Sequence, residues 1–252
     1  MCGRYAAAKS PAMLANEFAA VDRTGEQGPS ENYNIAPTDP VVAVVDRHPR
    51  DEHGVADPSA VQRSLRVLRW GLVPHWAKDA KGAARMINAR AESVHEKAAF
   101  KASLASRRCV LPADGWYEWR KDLDEHGKLV KQPYFLTRQD GASLAMAGIW
   151  STWHAPDGGL LLTAAVLTTA ATGALTEIHE RMPLVLGPDA LAHWLDPDTS
   201  EVTELLRHPD TGYAEQLELR PVSARVNSVR NNDTTLVERH EPEAPASLFE
   251  QL

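Results

Sequence analysis

The sequence predicts a single α+β domain built around a strongly curved, mostly antiparallel and barrel-like β-sheet with flanking helices. Short runs rich in β-branched and aromatic residues recur with turn residues between them, and they outnumber the stretches with helical spacing. Strand-like and helix-like stretches do not alternate regularly, which disfavours a doubly wound parallel sheet. The chain has 252 residues, of which 43% are hydrophobic, so it can bury one core without disulfides or metal.

Seven runs are predicted strands, because each is dense in apolar residues and bounded by turn residues. They are VVAVV at 41–45, LRVLRWGLVP at 65–74, RCVLPADGWYEW at 108–119, PYFLTR at 133–138, LAMAGIW at 144–150, LLLTAAVLTT at 160–169 and MPLVLG at 182–187. Apolar spacing of about 3–4 residues predicts three helices. These are Pro11–Ala20, Ser93–Ser106 and Pro188–Leu195, the last with a proline where a first helical turn tolerates it.

Three polar stretches are predicted to lie outside the functional part of the domain. Residues 46–62 are polar and carry Pro and Gly, and residues 121–131 form a charged hairpin loop. Residues 240–252 form an acidic, Pro-bearing end. The predicted organisation is therefore one domain over residues 1–239 followed by an acidic tail over residues 240–252.

Charge is distributed unevenly along the chain. The net charge is −7, yet residues 63–121 hold 13 Lys and Arg against 5 Asp and Glu. A basic segment in an acidic protein is expected when one face meets phosphate and the rest repels it. The alternative is that these charges are spread around the whole surface.

Composition also predicts the compartment. Cys2 and Cys109 are the only cysteines, which argues against a disulfide scaffold and fits a reducing cytoplasm. The sequence contains no run of about 18 apolar residues and no secretory signal, so no membrane association is expected. We expect a cytoplasmic monomer that is nucleoid-associated when bound to DNA.

Cys2 has the most distinctive chemistry. Loss of Met1, which a small second residue permits, leaves an α-amine and a thiol on adjacent carbons. An amine with a pKa of about 8 is partly neutral at physiological pH, and sulfur is an intrinsically strong nucleophile. The amine attacks an aldehyde to give an imine, and the sulfur then closes a five-membered thiazolidine ring. Gly3 removes side-chain bulk where a substrate must approach.

Three polar residues in apolar or aromatic settings join Cys2 as candidates. Asn88 lies in MINARAES, Glu118 in PADGWYEW and His179 in IHERMP, where a polar side chain without a task is costly. Asn88 offers donors and an acceptor, Glu118 is predicted to have a raised pKa, and His179 exchanges protons near neutral pH. Each taken alone is more often a structural polar group, but the set with an N-terminal cysteine favours a reactive site.

The sequence predicts no metal and no cofactor. The HERMP segment lacks a second histidine at zinc-protease spacing, and the ten histidines form no Cys/His cluster. The sequence has neither a GxxxxGK[ST] loop nor a GxGxxG fingerprint, so nucleotide cofactors are not expected.

Eight blocks in order resemble one known family, the SOS response-associated peptidase (SRAP) family. They span roughly residues 2 to 230 and read MCGRY, NYNIAPT, RWGLVPHWAKD, INARAES, RRCVLPADGWYEWRK, AGIWSTW, LTTAA and IHERMPLVL. The resemblance implies a single-domain fold that binds single-stranded DNA and captures the ring-opened aldehyde of an abasic site. It also implies autoproteolytic removal of Met1 and lyase-type chemistry.

The resemblance also implies roles for individual residues. Cys2 is then the crosslinking nucleophile, with Asn88, Glu118 and His179 as its catalytic neighbours. Arg4, Arg90 and Arg181 are implied to hold phosphates around the lesion, with Thr168 nearby, and guanidinium groups suit bidentate phosphate contacts. Trp76 or Trp116 is either a base-stacking residue or a core residue. The chain departs from the family pattern in residues 46–62 and in NSVRNND, where the family is closer to NSPRND; this puts the C-terminal contacts in doubt.

Two other functions stay open at this point. Glutamine amidotransferases with an N-terminal nucleophile also begin Met-Cys-Gly, although nothing beyond these three residues matches. A non-covalent single-stranded DNA-binding module, in which the cysteine is incidental, is the second alternative.

Overall fold

The computed structural model describes residues 2–25, 28–123, 127–207 and 212–240. Residues 124–126 of the predicted hairpin loop lie outside the described residues. Residues 241–252, nearly all of the predicted acidic tail, also lie outside them, so the proposed division into a domain and a tail stays a prediction.

Strands outnumber α-helices in the described ranges. The strands are β1 Tyr5–Ala7, β2 Val21–Asp22, β3 Asn32–Ile35, β4 Pro40–Arg47, β5 Gln62–Trp70, β6 Asn88–Arg90, β7 Arg108–Ala113, β8 Gly115–Leu123, β9 Leu129–Arg138, β10 Leu144–His154, β11 Leu160–Ala170, β12 Arg181–Pro183 and β13 Leu217–Pro221. The helices are α1 Pro11–Glu17, α2 Ala98–Ser106, α3 Pro188–Leu195 and α4 Thr203–Arg207.

Five strands close into a barrel, which confirms the predicted barrel-like architecture. Strands β5, β4, β7, β10 and β11 pair in that order, and β11 then pairs with β5 to complete the circle. The closing pair is parallel and the other pairs are antiparallel. Along each strand, alternate side chains point inward, so Leu68, Trp70, Leu111, Met146 and Val166 share one buried cluster.

The second sheet holds five antiparallel strands in the order β13, β9, β8, β1, β3. Strand β8 of this sheet begins at Gly115, within residues 108–119, which the sequence predicts as one continuous strand. That prediction was wrong, because Asp114 leaves the barrel and the chain continues as β8 in the second sheet. Asp114 accepts a hydrogen bond from the backbone N–H of Ala8 at 2.6 Å and its own N–H donates to Ala6 at 2.8 Å, which fixes the corner.

Helices cover the outer face of the barrel. The prediction for Pro188–Leu195 is confirmed, whereas α1 ends at Glu17 and α2 begins at Ala98, so both are shorter than predicted. Their apolar residues pack with outward-facing barrel residues such as Val44 and Ile149 in a second buried cluster. Within the described ranges, no helix is long and apolar enough to cross a membrane.

Candidate functional site

The candidate residues meet where the two sheets adjoin. Residues 2–4 run antiparallel to β8, since Tyr5 pairs with Trp116 and the N–H of Tyr117 donates to the carbonyl of Arg4 at 2.9 Å. The barrel contributes β6, which pairs with β11, and β12, which pairs with the end of the same strand. Asn88 on β6 donates from Nδ2 to the carbonyl of Cys2 at 2.6 Å and so ties the barrel to the N-terminal segment.

The Cys2 thiol is fully buried in the apolar cluster that fills the barrel. Burial raises the pKa of the thiol far above its usual value, and the negative charge of Glu118 raises it further. The thiol donates a long hydrogen bond to the carbonyl of Arg4, 4.0 Å from Sγ. The sulfur is therefore held as a neutral thiol beside a carboxyl group.

Glu118 has the environment that the sequence predicts. It lies on β8 between Tyr117 and Trp119, and only 4% of its surface is exposed. Burial raises the pKa of its carboxyl group from 4.5 to about 7. At neutral pH the residue is therefore present in both protonation states, as a proton-transfer group requires.

Asn88 has spare hydrogen-bonding capacity. Its Nδ2 is engaged by Cys2, whereas its Oδ1 is buried and has no hydrogen-bond partner among the described residues. A buried amide oxygen without a donor is costly, so such an oxygen is a natural acceptor for a bound hydroxyl or amine.

His179 is oriented by the backbone of Arg181. The N–H of Arg181 donates to His179 Nδ1 at 2.9 Å, so Nδ1 is the acceptor and Nε2 carries the proton of the neutral ring. Burial lowers the pKa of the imidazole, which favours this neutral form at physiological pH. His179 is thus prepared to donate a proton from Nε2.

The Arg181 guanidinium is held by an ion pair. It donates to both carboxylate oxygens of Glu92, at 2.7 and 2.9 Å, and to the carbonyl of Thr168 at 2.7 Å. Thr168 itself is fully buried, with Oγ1 3.4 Å from Arg181 Nη2, so its contact is with Arg181. A phosphate approaching Arg181 must compete with Glu92.

Arg4 and Arg90 differ in how far their guanidinium groups are available to a phosphate. Arg4 donates from Nη1 to Asn34 Oδ1 at 2.6 Å and to the carbonyl of Val226 at 2.9 Å, which fixes one edge of its guanidinium. Arg90 projects from the end of β6 as an exposed side chain. Arg90 is the more accessible cation of the two.

Sequence reasoning missed Asn34 and Glu92. Asn34 is buried and its amide donates to the carbonyls of Ser228 and Asn231 at 3.0 and 2.9 Å, so it links Arg4 to the chain near residue 230. The buried polar position in NYNIAPT was its only signal in the sequence. The tryptophans divide: Trp116 is a buried core residue, whereas Trp76 is 60% exposed.

The basic segment over residues 63–121 does not form one face. Arg63 is paired with Asp46 at 2.8 Å, and Arg66 lines a pocket that does not include Cys2. Arg108 is buried and donates to backbone carbonyls that include those of Trp194 and Asp196, both at 2.6 Å. Much of the local excess of positive charge therefore serves the fold.

Solved structures share this architecture. A crystal structure of a protein from Bacteroides thetaiotaomicron superposes with a TM-score of 0.75 at 24% identity, covering 95% of this chain and 100% of that one. A phage-related protein from Bordetella bronchiseptica superposes with a TM-score of 0.61 at 28% identity, covering 88% and 94% of the two chains.

Sequence relatives agree over the same length. The abasic site processing protein YoqW of Bacillus subtilis is 35% identical over 246 residues, which are 95% of this chain and 100% of YoqW. The abasic site processing protein HMCES of Pongo abelii is 32% identical over 274 residues, covering 92% of this chain and 74% of HMCES. The sequence model of one family, described as SOS response associated peptidase (SRAP), matches residues 1–229. The chain therefore belongs to the SRAP family.

Proposed function

We propose that this protein processes abasic sites in DNA by linking itself covalently, through Cys2, to the aldehyde of an abasic site in single-stranded DNA. The observation that carries the proposal is the buried Cys2 thiol beside a Glu118 carboxyl with a pKa of about 7. Relatives named abasic site processing proteins support the same substrate.

The reaction begins with the amine of Cys2, which loss of Met1 frees. The amine adds to the aldehyde carbon, and the resulting carbinolamine loses water to form an imine. The departing oxygen must receive a proton, and in this proposal the protonated fraction of Glu118 gives it. Asn88 orients the N-terminal residue during this step. Its Nδ2 donates a hydrogen bond to the carbonyl of Cys2, and its Oδ1 is available to accept one from the amine.

The thiol then completes the adduct. Sγ adds to the imine carbon, a C–S bond forms, and the thiol proton moves to the nitrogen, which becomes the secondary amine of a thiazolidine. No oxidant or reductant is needed. Because burial keeps the sulfur protonated until it reacts, removal of that proton by ionised Glu118 activates it at the moment of ring closure.

Removal of Met1 is the step on which the proposal depends. An amide nitrogen cannot form the imine, so the unprocessed chain should be inert toward aldehydes. We propose that the site performs this cleavage itself, as an autopeptidase. The intact mass of the purified protein reports the processing, and a Cys2→Ala protein that still loses Met1 would show that another peptidase does it.

A denaturing gel with abasic single-stranded DNA tests the proposed function directly. A covalent adduct survives denaturation, whereas a complex formed by a non-covalent DNA-binding module does not. A glutaminase assay, which measures released ammonia, distinguishes the proposed function from the remaining alternative, a glutamine amidotransferase. Release of ammonia without any adduct would overturn the proposal.

Exposed Arg90 should contribute one phosphate contact. We expect Arg90→Ala to weaken binding of undamaged single strands and to reduce the slope of log K against log salt by about 0.7, which is one phosphate neutralised. Titrations at several salt concentrations measure the slope, and Lys131→Ala on β9 is the matched control. An unchanged slope would remove Arg90 from the DNA contact.

Glu92 should act against DNA binding, because its carboxylate occupies the Arg181 guanidinium in the ion pair described above. We expect Glu92→Gln to strengthen binding of undamaged single strands by about 2- to 5-fold at low salt, the range for a partly exposed ion pair. The control is Glu96→Gln, which removes an exposed charge from the same turn. Equal affinities for the two variants would show that Arg181 does not meet phosphate.

A further inference from the structure

A pocket whose lining does not include Cys2 lies against the barrel strands β4, β5, β10 and β11. It has a volume of about 420 Å³, and its apolar floor is formed by the inward-facing residues Val45, Leu68, Trp150 and Leu162. On β11, Leu162 is four residues from Val166, which pairs with the Asn88 that contacts Cys2, so the two lie about 13 Å apart along the strand, and Cys2 is not among the described residues that line the pocket. The pocket is therefore a separate feature of the molecule.

The rim of this pocket is strongly basic. It carries Arg47, Arg50 and Arg66, and none of the described residues that line it is acidic. Elsewhere in the described chain arginines such as Arg63 and Arg138 are paired with carboxylates, but these three form no ion pair with a described residue. Partial burial lowers the pKa of Arg47, and repulsion from the neighbouring guanidinium groups lowers it further; a bound anion would relieve that repulsion.

The Trp150 ring of the pocket orders Arg47 of the rim and also contacts Arg107, which lies outside the lining. The guanidinium carbon of Arg47 lies 5.0 Å from the centre of the Trp150 ring, and that of Arg107 lies 5.9 Å from it. Stacking on the ring neutralises little charge, but it holds planar groups in defined orientations with their N–H edges free. Preorganised guanidinium edges of this kind suit the oxygens of a phosphate.

We propose that this pocket binds a nucleoside monophosphate, either as a free molecule or as one residue of a DNA strand. The arginines at the rim, Arg47, Arg50 and Arg66, take the phosphate, and the apolar floor takes the base. A volume of about 420 Å³ exceeds what inorganic phosphate fills and lies in the range of small-ligand sites. The pocket is distinct from the Cys2 site, so the two proposals stand independently.

Calorimetric titration with dAMP, inorganic phosphate and an undamaged single-stranded oligonucleotide tests this proposal. We expect Arg66→Gln, an exposed substitution that leaves the core intact, to weaken dAMP binding by about 10-fold, the effect of one charge-assisted hydrogen bond. Arg47→Gln should have at least the same effect. Lys131→Gln on β9 removes a charge elsewhere and should leave the affinity unchanged.

The arms of the experiment distinguish the sources of the nucleotide. Binding of dAMP that depends on Arg66 supports a free ligand, whereas Arg66-dependent binding of the oligonucleotide alone supports a strand residue. Equal affinity for inorganic phosphate and dAMP, or binding that no pocket arginine affects, would overturn the proposal. Adduct formation at Cys2 with a short abasic oligonucleotide should be unchanged in Arg66→Gln, so a failure here leaves the proposed function untouched.

Discussion

Cys2→Ala should form no denaturation-resistant adduct with abasic single-stranded DNA. Alanine lacks the sulfur that closes the ring, so the reaction stops at an imine that water reverses. Cys2→Ser should also fail, because a hydroxyl is a much poorer ring-closing nucleophile. Borohydride should trap the residual imine in either variant whose initiator methionine has been removed. Denaturing gels with and without borohydride measure both species.

Cys109→Ala is the control for this experiment, since the described chain places the second cysteine in the barrel interior as a buried residue. We expect it to crosslink as the wild type does, apart from any loss of stability caused by the small cavity. A wild-type yield of stable adduct from Cys2→Ala would refute the thiazolidine mechanism. A folded Cys109→Ala protein that forms no adduct would show that Cys109, and not only Cys2, is needed for crosslinking.

Glu118→Gln should slow adduct formation by roughly 10²–10⁴-fold, the usual effect of losing a general acid or base. The pKa of about 7 gives the effect a pH signature: the protonated acid is lost as pH rises through 7, so acid-assisted loss of water should decline there. The rate of adduct formation by the glutamine variant should not show this decline above pH 7. Rates of adduct formation between about pH 5 and 9 measure the difference.

A stability measurement separates chemistry from folding in this variant. Burial raises the folded-state pKa of Glu118, so ionising it costs stability, and the wild type should lose stability as pH rises from about 4.5 to 7. Glutamine is neutral at every pH and should remove that part of the pH dependence. Glu118→Gln should therefore be folded, no less stable at pH 8, and slow. An unfolded variant would show that Glu118 is required for folding, and the loss of rate could then not be assigned to proton transfer.

His179→Ala should have a milder effect on formation and should also slow reversal of the adduct. We propose that His179 acts on the sugar oxygen in the forward direction and that the same group returns the proton when the adduct opens. Time courses of formation, and of release to a competing aldehyde, measure the two rates. If Glu118→Gln reacts at the wild-type rate while His179→Ala is inactive, the two roles are reversed.

The sequence predicts the fold class and most long strands because their apolar residues are dense and local. It also predicts a raised pKa for Glu118 from three flanking aromatic residues, which the structure bears out. The short strands β1, β3 and β6 were not predicted, since three or four residues carry too little periodicity to identify a strand. These strands are nevertheless the ones that position Cys2, Asn34 and Asn88.

Contacts between distant segments were beyond sequence reasoning. The pairing of Arg181 with Glu92 joins residues 89 positions apart, and nothing in either local pattern signals it. Arg63 and Arg108 carry charges that composition counts as available for DNA, but tertiary contacts use them inside the fold. Charge along a chain predicts a surface only when the side chains are also exposed.

Barrel closure has a mechanical consequence. Strands β5 and β11 share two register pairs, Thr163 with Arg69 and Ala164 with Trp70, whereas β10 and β11 share seven. This closing pair is one of two short pairings in the cylinder, since β4 and β7 share a single register pair, Val44 with Val110. A closed cylinder should open at its short pairings before its longer ladders separate. Two residues after Ala164 on β11, Val166 pairs with Asn88 of β6. The side chain of Asn88 donates a hydrogen bond to the carbonyl of Cys2. Opening of the β5–β11 pair would therefore move the strand that contacts the reactive N-terminus.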